Sequence, residues 1–208
     1  MQVKVLRMTE KPFELISQAY RLCYDSKAKD KEEEAKFIRA CIKNKHTSPL
    51  EHCSVTLLIS GISRTCSHQV VRHRIASYTQ ESQRYIDKNG TYYVMPESIA
   101  NDKEAARMFT TVAAMCEAAY KLFQEKGVKK EDARFIMPQA IHTKMMMTIN
   151  FRSLRNFLDL RLDQRAQWEI RAVAYRILKE MFIIDPDTAY IFEDIAEKHA
   201  PKVRTIKK

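Results

Sequence analysis

Residues 72–85, Arg-His-Arg-Ile-Ala-Ser-Tyr-Thr-Gln-Glu-Ser-Gln-Arg-Tyr, hold three arginines, three serine or threonine hydroxyls, two glutamines and a histidine, with no lysine. A guanidinium is a rigid fork of donors that matches a phosphate or the imide edge of a base, whereas an ammonium is a point charge. If the backbone there is extended, Ser82 and Arg84 point to one side. A bare arginine cluster also reads as a solvated basic loop. Solubility alone, however, is served by lysine and glutamate, which the rest of the chain uses.

The same bias recurs. Residues 46–87 carry Arg64, Arg72, Arg74 and Arg84 without a lysine, and residues 131–178 carry seven arginines against Lys144 alone. Counterion release on nucleic acid needs only positive charge, so a generic basic groove mixes the two types. Segregated arginine implies geometric recognition of particular anions or planar polar edges, although Arg–carboxylate pairs at an oligomer interface would give the same count.

Composition narrows the chemistry. The chain has 208 residues, 45% of them hydrophobic, and a formal net charge of +10, which suggests one domain, 1–208, with anionic partners. Gly61, Gly90 and Gly127 are isolated, so neither a Gly-x-Gly-x-x-Gly loop nor a Walker A loop can be built. The five cysteines contain no Cys-x-x-Cys pair and the six histidines do not join them at zinc spacing, so buried thiols and no metal are expected. No apolar run reaches eighteen residues, and no signal peptide precedes the strand-like Gln2–Met8, so no membrane partner and a cytoplasmic location are expected. A nucleic-acid-binding module would also exploit the +10 charge, but no recognition motif or interleaved aromatic platform is present.

The pattern along the chain places these residues. Strands are expected at Gln2–Met8, Ser54–Ile62 (ending at Gly61), around Tyr92–Met95, and at His142–Phe151. Helices are expected from Pro12 to Tyr24 and from Asp30 through Ile42, where Asp30–Glu34 reads as a solvated face. Ser48, Pro49 and Glu51 form a Ser-x-x-Glu capping box; amides at such a helix start beside His46 would also suit a phosphate. Glu104–Lys126 is the clearest helix, with Met108, Val112, Met115, Ala119 and Leu122 as core packing and Gly127 as its cap. Ser153 would cap a helix whose face carries Leu154, Phe157, Leu158, Arg161 and Arg165 if it runs past Asp163. Buried guanidiniums there need an anion. A final helix from Ala166 to Met181 would pack through Trp168, Ala172, Tyr175 and Leu178, with a frayed tail from Lys198 to Lys208.

The stretch Arg-His-Arg-x2-Ser-x4-Ser-x-Arg resembles the signature of the flavin-dependent thymidylate synthases, with every fixed position present. The resemblance begins at His46-x-Ser-Pro-x-Glu51 and runs through Ser67-His-Gln69 into the signature. It resumes at Glu131-Asp-Ala-Arg134, Pro138, Asn150-Phe-Arg152, Ser153-Leu-Arg-Asn156, Leu160-Arg161 and Ala166-Gln-Trp-Glu169. It implies an α/β (α+β) domain with an antiparallel sheet and long helices, neither Rossmann nor TIM barrel. It further implies reductive methylation of dUMP to dTMP with tightly bound FAD, with NADPH and 5,10-methylenetetrahydrofolate as co-substrates, in a homotetramer with shared active sites. An inactive relative that binds nucleotide only is the alternative within the family.

By matching positions, the resemblance implies flavin contacts at His46, Ser48, Arg72, His73, Arg74, Gln80, Asn150, Arg152 and Asn156. It implies dUMP contacts at Gln69, Arg72, Gln80, Glu81, Ser82, Gln83, Arg84, Arg134 and Arg161. Ser82, Arg84 and Arg134 would hold the phosphate. Arg161 would be the catalytic residue, a permanent cation at the uracil edge that cannot serve as a base. Ser82 has no histidine near it in sequence to activate it, so binding is its expected role. Two departures stand out: Thr79-Gln80 replaces the family's frequent Asn-Glu, and Arg165 replaces a frequent histidine.

Overall fold

In the computed structural model, which describes residues 1–27, 30–88, 90 and 92–203, the elements follow the period of the sequence. They are β1 (Gln2–Met8), α1 (Pro12–Cys23), α2 (Lys31–Lys43), β2 (Ser54–Ser63), α3 (Arg64–Val70), β3 (Ser77–Gln80), α4 (Glu97–Ala100), α5 (Lys103–Glu125), α6 (Lys130–Ala133), β4 (His142–Asn150), α7 (Phe151–Arg161), α8 (Trp168–Ile184) and α9 (Ala189–Val203). The four strands form an antiparallel sheet in the order β1-β2-β4-β3, so the fold is a mixed α/β (α+β) one with long helices, neither Rossmann nor TIM barrel. The chain divides into two compact units, Met1–Ile59 with His73–Tyr78 and Met146–Lys208, and Ser60–Arg72 with Thr79–Met145. Among the described residues no helix is long and apolar enough to cross a membrane.

In the first unit, α8 packs on β1 and also against α7 and α9. The Asp30 carboxylate starts α2 by accepting from the amides of Glu32 and Glu33, both at 3.0 Å, which satisfies donors the helix cannot. Asn150 does the same for α7, its Oδ1 accepting from Ser153 N at 2.8 Å. The cap is therefore Asn150 and not Ser153, which is buried in the first turn. Phe151, Leu154, Phe157 and Leu158 are buried along α7, with the Phe151 ring 5.4 Å from that of Phe192.

Several expectations are corrected in this unit. Asp30–Glu34 is not wholly a solvated face: Glu34 is buried, accepting from Ser17 Oγ at 2.6 Å and pairing with Arg21 at 2.8 Å. Ser48 does not cap a helix, because Ser48–His52 is a 3₁₀ turn that Ser48 itself begins, with Pro49 in its first turn. The α7 helix ends at Arg161, and Arg165 leaves its face to pair with Asp163 in solvent. On α8 the buried positions are Glu169, Ile170, Val173, Ala174, Ile177, Leu178 and Met181; Leu178 is buried as expected, but the rest of the stripe lies about one position off, and Trp168 is 40% exposed. The expected tail is helical as far as Val203, with Ile191, Phe192 and Ile195 of α9 in the core, and its residues 204–208 lie outside those described.

In the second unit, β2 continues two residues beyond Gly61, whose φ of 68° costs a glycine no Cβ clash. Ser63 Oγ then accepts from Cys66 N at 3.0 Å and opens α3. Tyr92–Met95 makes only an isolated bridge, Tyr93 to Ile141, and not a strand. Pro96 and Pro138 lack the N–H that a longer ladder needs. Asp102 caps α5 at Glu104 and Ala105, and Gly127, with φ 79°, ends it. The expected packing stripe of α5 is the largest correction: Met108, Val112, Met115 and Leu122 are 58%, 47%, 67% and 50% exposed, and only Ala113 and Tyr120 are buried.

Candidate active site

The first unit gathers His46, Ser48, His73, Arg74, Asn150, Arg152, Asn156 and Arg161. The 3₁₀ turn Ser48–His52 packs against both α1 and α7, and Glu51 ties it to α7 through an ion pair with Arg152. Just before that turn, Tyr20 Oη donates to the His46 carbonyl at 2.6 Å and Tyr24 Oη lies 3.4 Å from His46 Nδ1, so the imidazole is walled by two aromatic rings. Arg152 and Asn156 lie on the exposed side of α7, whereas Phe157 faces inward, its ring 5.6 Å from that of His73.

His73 is 8% exposed, and its Nε2 has no hydrogen-bond partner among the described residues. Burial, then the nearby charge of Arg161, holds its pKa below the ordinary histidine value, so the ring is neutral at pH 7. Tyr78 Oη donates to the His73 carbonyl at 2.6 Å, and burial pushes this phenol up to about 12 with Arg161 opposing. Arg161 thus lies beside the His73–Tyr78 stretch of the signature.

The second unit gathers Gln69, Arg72, Gln80, Glu81, Ser82, Gln83, Arg84 and Arg134. Gln80 is held by two hydroxyls, its Nε2 donating to Ser67 Oγ at 2.8 Å and to Thr143 Oγ1 at 3.2 Å. The Glu81 carboxylate pairs with Lys88, which is 3% exposed, and lies 3.5 Å from Lys144 Nζ. Ser82 Oγ accepts from Arg84 N at 3.2 Å, and Ile86 N reaches the Ser82 carbonyl at 3.0 Å, closing a tight turn. Arg84 is half-exposed and grips the Glu131 carboxylate through Nε at 2.9 Å and Nη2 at 2.8 Å. The Glu131 carbonyl in turn accepts from Arg134 Nε at 3.0 Å. One short segment therefore contacts both arginines.

Over residues 4–187 the chain matches the family described as thymidylate synthase complementing protein. It is 44% identical over 191 residues to the flavin-dependent thymidylate synthase of Pyrococcus furiosus, covering 86% of this chain and 78% of that one. This chain belongs to the flavin-dependent thymidylate synthase family. The Geobacter sulfurreducens flavin-dependent thymidylate synthase is 41% identical over 188 residues, covering 86% and 81%. A flavin-dependent thymidylate synthase from Helicobacter pylori, solved complexed with FAD and dUMP, matches with a TM-score of 0.76 at 26% identity over 94% of this chain and 99% of that one. A UMP/dUMP methylase from Streptomyces cacaoi, bound with 5-Br dUMP, shares the fold, with a TM-score of 0.82 at 22% identity over 93% and 94%.

Within this family member, three supporting residues escaped the sequence reading. Glu51 was assigned to a helix cap but holds Arg152, a pairing across 101 positions that no local pattern reveals. Tyr78, inside the signature, braces its backbone through the hydroxyl. Lys88 lies just beyond the signature, in no motif, and is buried with Glu81. The five cysteines are all free thiols, and Cys41, Cys53 and Cys66 are buried. Burial raises the Cys53 thiol to about 12, which disarms it as a nucleophile.

Proposed function

We propose that this chain is a flavin-dependent thymidylate synthase acting as one functional domain over residues 1–208. It converts dUMP to dTMP, taking the carbon from 5,10-methylenetetrahydrofolate and the reducing equivalents from NADPH through FAD. The reading is carried by one observation: the complete signature, Arg72 to Arg84, is held in place beside Arg134 in one unit and beside Arg161 in the other, in a chain of this family. That the Helicobacter pylori relative was solved with FAD and dUMP supports both ligands here.

The residues present fit FAD without a glycine-rich loop. Ser48, Arg152 and Asn156 offer an exposed hydroxyl, guanidinium and amide to a diphosphate and an adenine edge. His73 adds a buried, unpartnered ring nitrogen, and a buried polar atom of that kind is costly unless a further group completes it. His46, Arg72, Arg74, Gln80 and Asn150 complete the flavin set. When bound, FAD supplies the hydride transfer that no side chain here can perform.

The chain's own residues bind, orient and polarise. Ser82, Arg84 and Arg134 hold the phosphate of dUMP, while Gln69, Arg72 and the Gln80–Gln83 segment orient the nucleoside. Arg161 presents a cation to N3 and O2 of the uracil, stabilising the anionic pyrimidine and so raising the nucleophilicity of C5. It takes no proton, because a guanidinium stays protonated and charged. The protein works as a cytoplasmic homotetramer with shared active sites. The exposed apolar stripe of α5 supports that assembly, since a second copy of this chain would bury it.

The test is a visible spectrum of the purified protein before and after NADPH, with and without dUMP. A flavin band that bleaches with NADPH is expected; a colourless protein that ignores added FAD overturns the reading. Replacing Arg161 with alanine should abolish dTMP formation while flavin remains bound. Retained turnover would refute the activation role.

A further inference from the structure

A cavity of about 350 Å³ opens in the second unit, lined by Arg64, His68, Gln83, Arg134, Gln139 and the apolar side chains of residues 135, 137, 138 and 141. Two of these residues, Gln83 and Arg134, already belong to the proposed dUMP set. Arg64 and His68 do not, and Arg64 lies outside every motif discussed above.

The position of Arg64 is set by backbone. As the first residue of α3 it donates its amide to the Ile141 carbonyl at 3.0 Å, while Thr65 N reaches the Gln139 carbonyl at 3.2 Å. The start of α3 is thereby stapled to the segment that precedes β4, and the Arg64 side chain lines the same cavity as Arg134. No carboxylate is among the lining residues. The nearest in electrostatic reach of Arg64, Glu81, is already committed to Lys88 and Lys144. Burial and the like charge of Arg134 both work against the Arg64 cation. Two partly desolvated guanidiniums facing one cavity, without an acid between them, are an unfavourable arrangement unless an anion joins them. Gln83, nine-tenths buried on the wall, adds amide donors of matching polarity.

We propose that Arg64 is a further phosphate-binding residue, forming with Arg134 and Gln83 a clamp for the phosphate of dUMP. The inference rests on the reading of the chain as a dUMP-binding enzyme. Arg64 and Arg134, which line one cavity, each give the phosphate a charge-assisted fork, while the apolar residues beside them exclude water and strengthen both. Held to the phosphate, Arg64 contributes to substrate affinity and not to the chemistry at C5.

The FAD-loaded full chain is titrated with dUMP and with 2′-deoxyuridine, which lacks only the phosphate. Arg64→Ala should weaken dUMP binding by about tenfold to a hundredfold and leave deoxyuridine unchanged, as expected for one charged hydrogen-bonding partner. KM for dUMP should rise alongside, with kcat at saturation retained. Arg64→Lys should lose less, keeping the charge without the fork, and it guards against a misfolded alanine variant. Equal losses for both ligands would make Arg64 merely structural and overturn the inference. So would unchanged dUMP affinity in Arg64→Ala and Arg64→Lys when Arg134→Ala weakens it, an outcome that leaves the dUMP reading intact. If the parent protein binds neither ligand, that reading itself falls, and the inference with it.

Discussion

Glu81 and Lys88 close a buried ion pair across the base of the loop that carries Ser82, Gln83 and Arg84, with side chains only 8% and 3% exposed. Breaking one partner of such a pair leaves a charge stranded, at a cost of about 3–5 kcal/mol. Lys144, 3.5 Å from Glu81, softens the loss of Lys88, so Lys88→Met should destabilise the protein by about 3 kcal/mol, the lower end. The double variant Glu81→Met/Lys88→Met should recover most of that. Urea unfolding measures both, and an unchanged midpoint in Lys88→Met would sink the idea. The pair also sets a pH limit. Burial favours protonation of Glu81, but Lys88 and Lys144 overcome it and hold the carboxyl below its ordinary value. The stabilisation is therefore complete above the ordinary glutamate value of about 4.3 and fades as pH falls through the lower folded value.

Arg84 and Glu131 make a second pair, half-exposed, at 2.8 Å. Glu131 occupies the guanidinium that the phosphate of dUMP would use, so the two acids compete. Glu131→Gln should tighten dUMP binding by about two- to fivefold at low salt, the scale of a surface pair, and the gain should shrink as salt is added. Arg84→Ala should weaken binding in the same titration. Weaker binding in Glu131→Gln would show instead that Glu131 orients Arg84 and does not compete for it.

His73 gives a pH dependence of its own. Its folded pKa is depressed, by burial first and Arg161 second, so the unfolded chain takes up the proton first as pH falls. Stability is flat above the ordinary histidine value of about 6.5, declines below it, and levels off beneath the folded value. His73→Gln should lessen that slope, the share from His142, which burial also depresses, remaining. NMR titration of the ring checks the same point directly: a midpoint at or above 6.5 would contradict it.

Period and punctuation in the sequence located most elements, because Asp30, Asp102 and Gly127 act within one turn of the helices they start or stop. The signature was legible for the same reason: its chemistry is carried by residues close in sequence. What escaped was set at a distance. The apolar stripe of α8 is displaced from the expected one because β1, some 170 positions earlier, selects the buried face. Glu34 reads as part of a solvated face, but Arg21 and Ser17 bury it, and Lys88 is buried by Glu81, which no local pattern announces. Arg64 carries no local motif, and only the return of the chain at Gln139–Ile141 brings it to the cavity that Arg134 lines.

The exposed stripe of α5 supplies the last prediction. A 23-residue helix that buries only Ala113 and Tyr120 within its own chain leaves Met108, Val112, Met115 and Leu122 in water. Each such side chain gains about 1.5–3 kcal/mol on full burial, so covering all four drives association strongly. A charge at the centre of the stripe reverses that drive, because an unpaired carboxylate cannot be buried cheaply. Met115→Asp should therefore shift the proposed tetramer toward smaller species in sedimentation velocity, while its circular dichroism stays that of the parent. If active sites are shared between copies, dTMP formation should fall in proportion to the tetramer lost and recover as protein concentration is raised. A Met115→Asp protein that remains tetrameric at micromolar concentration would place the interface elsewhere on the chain.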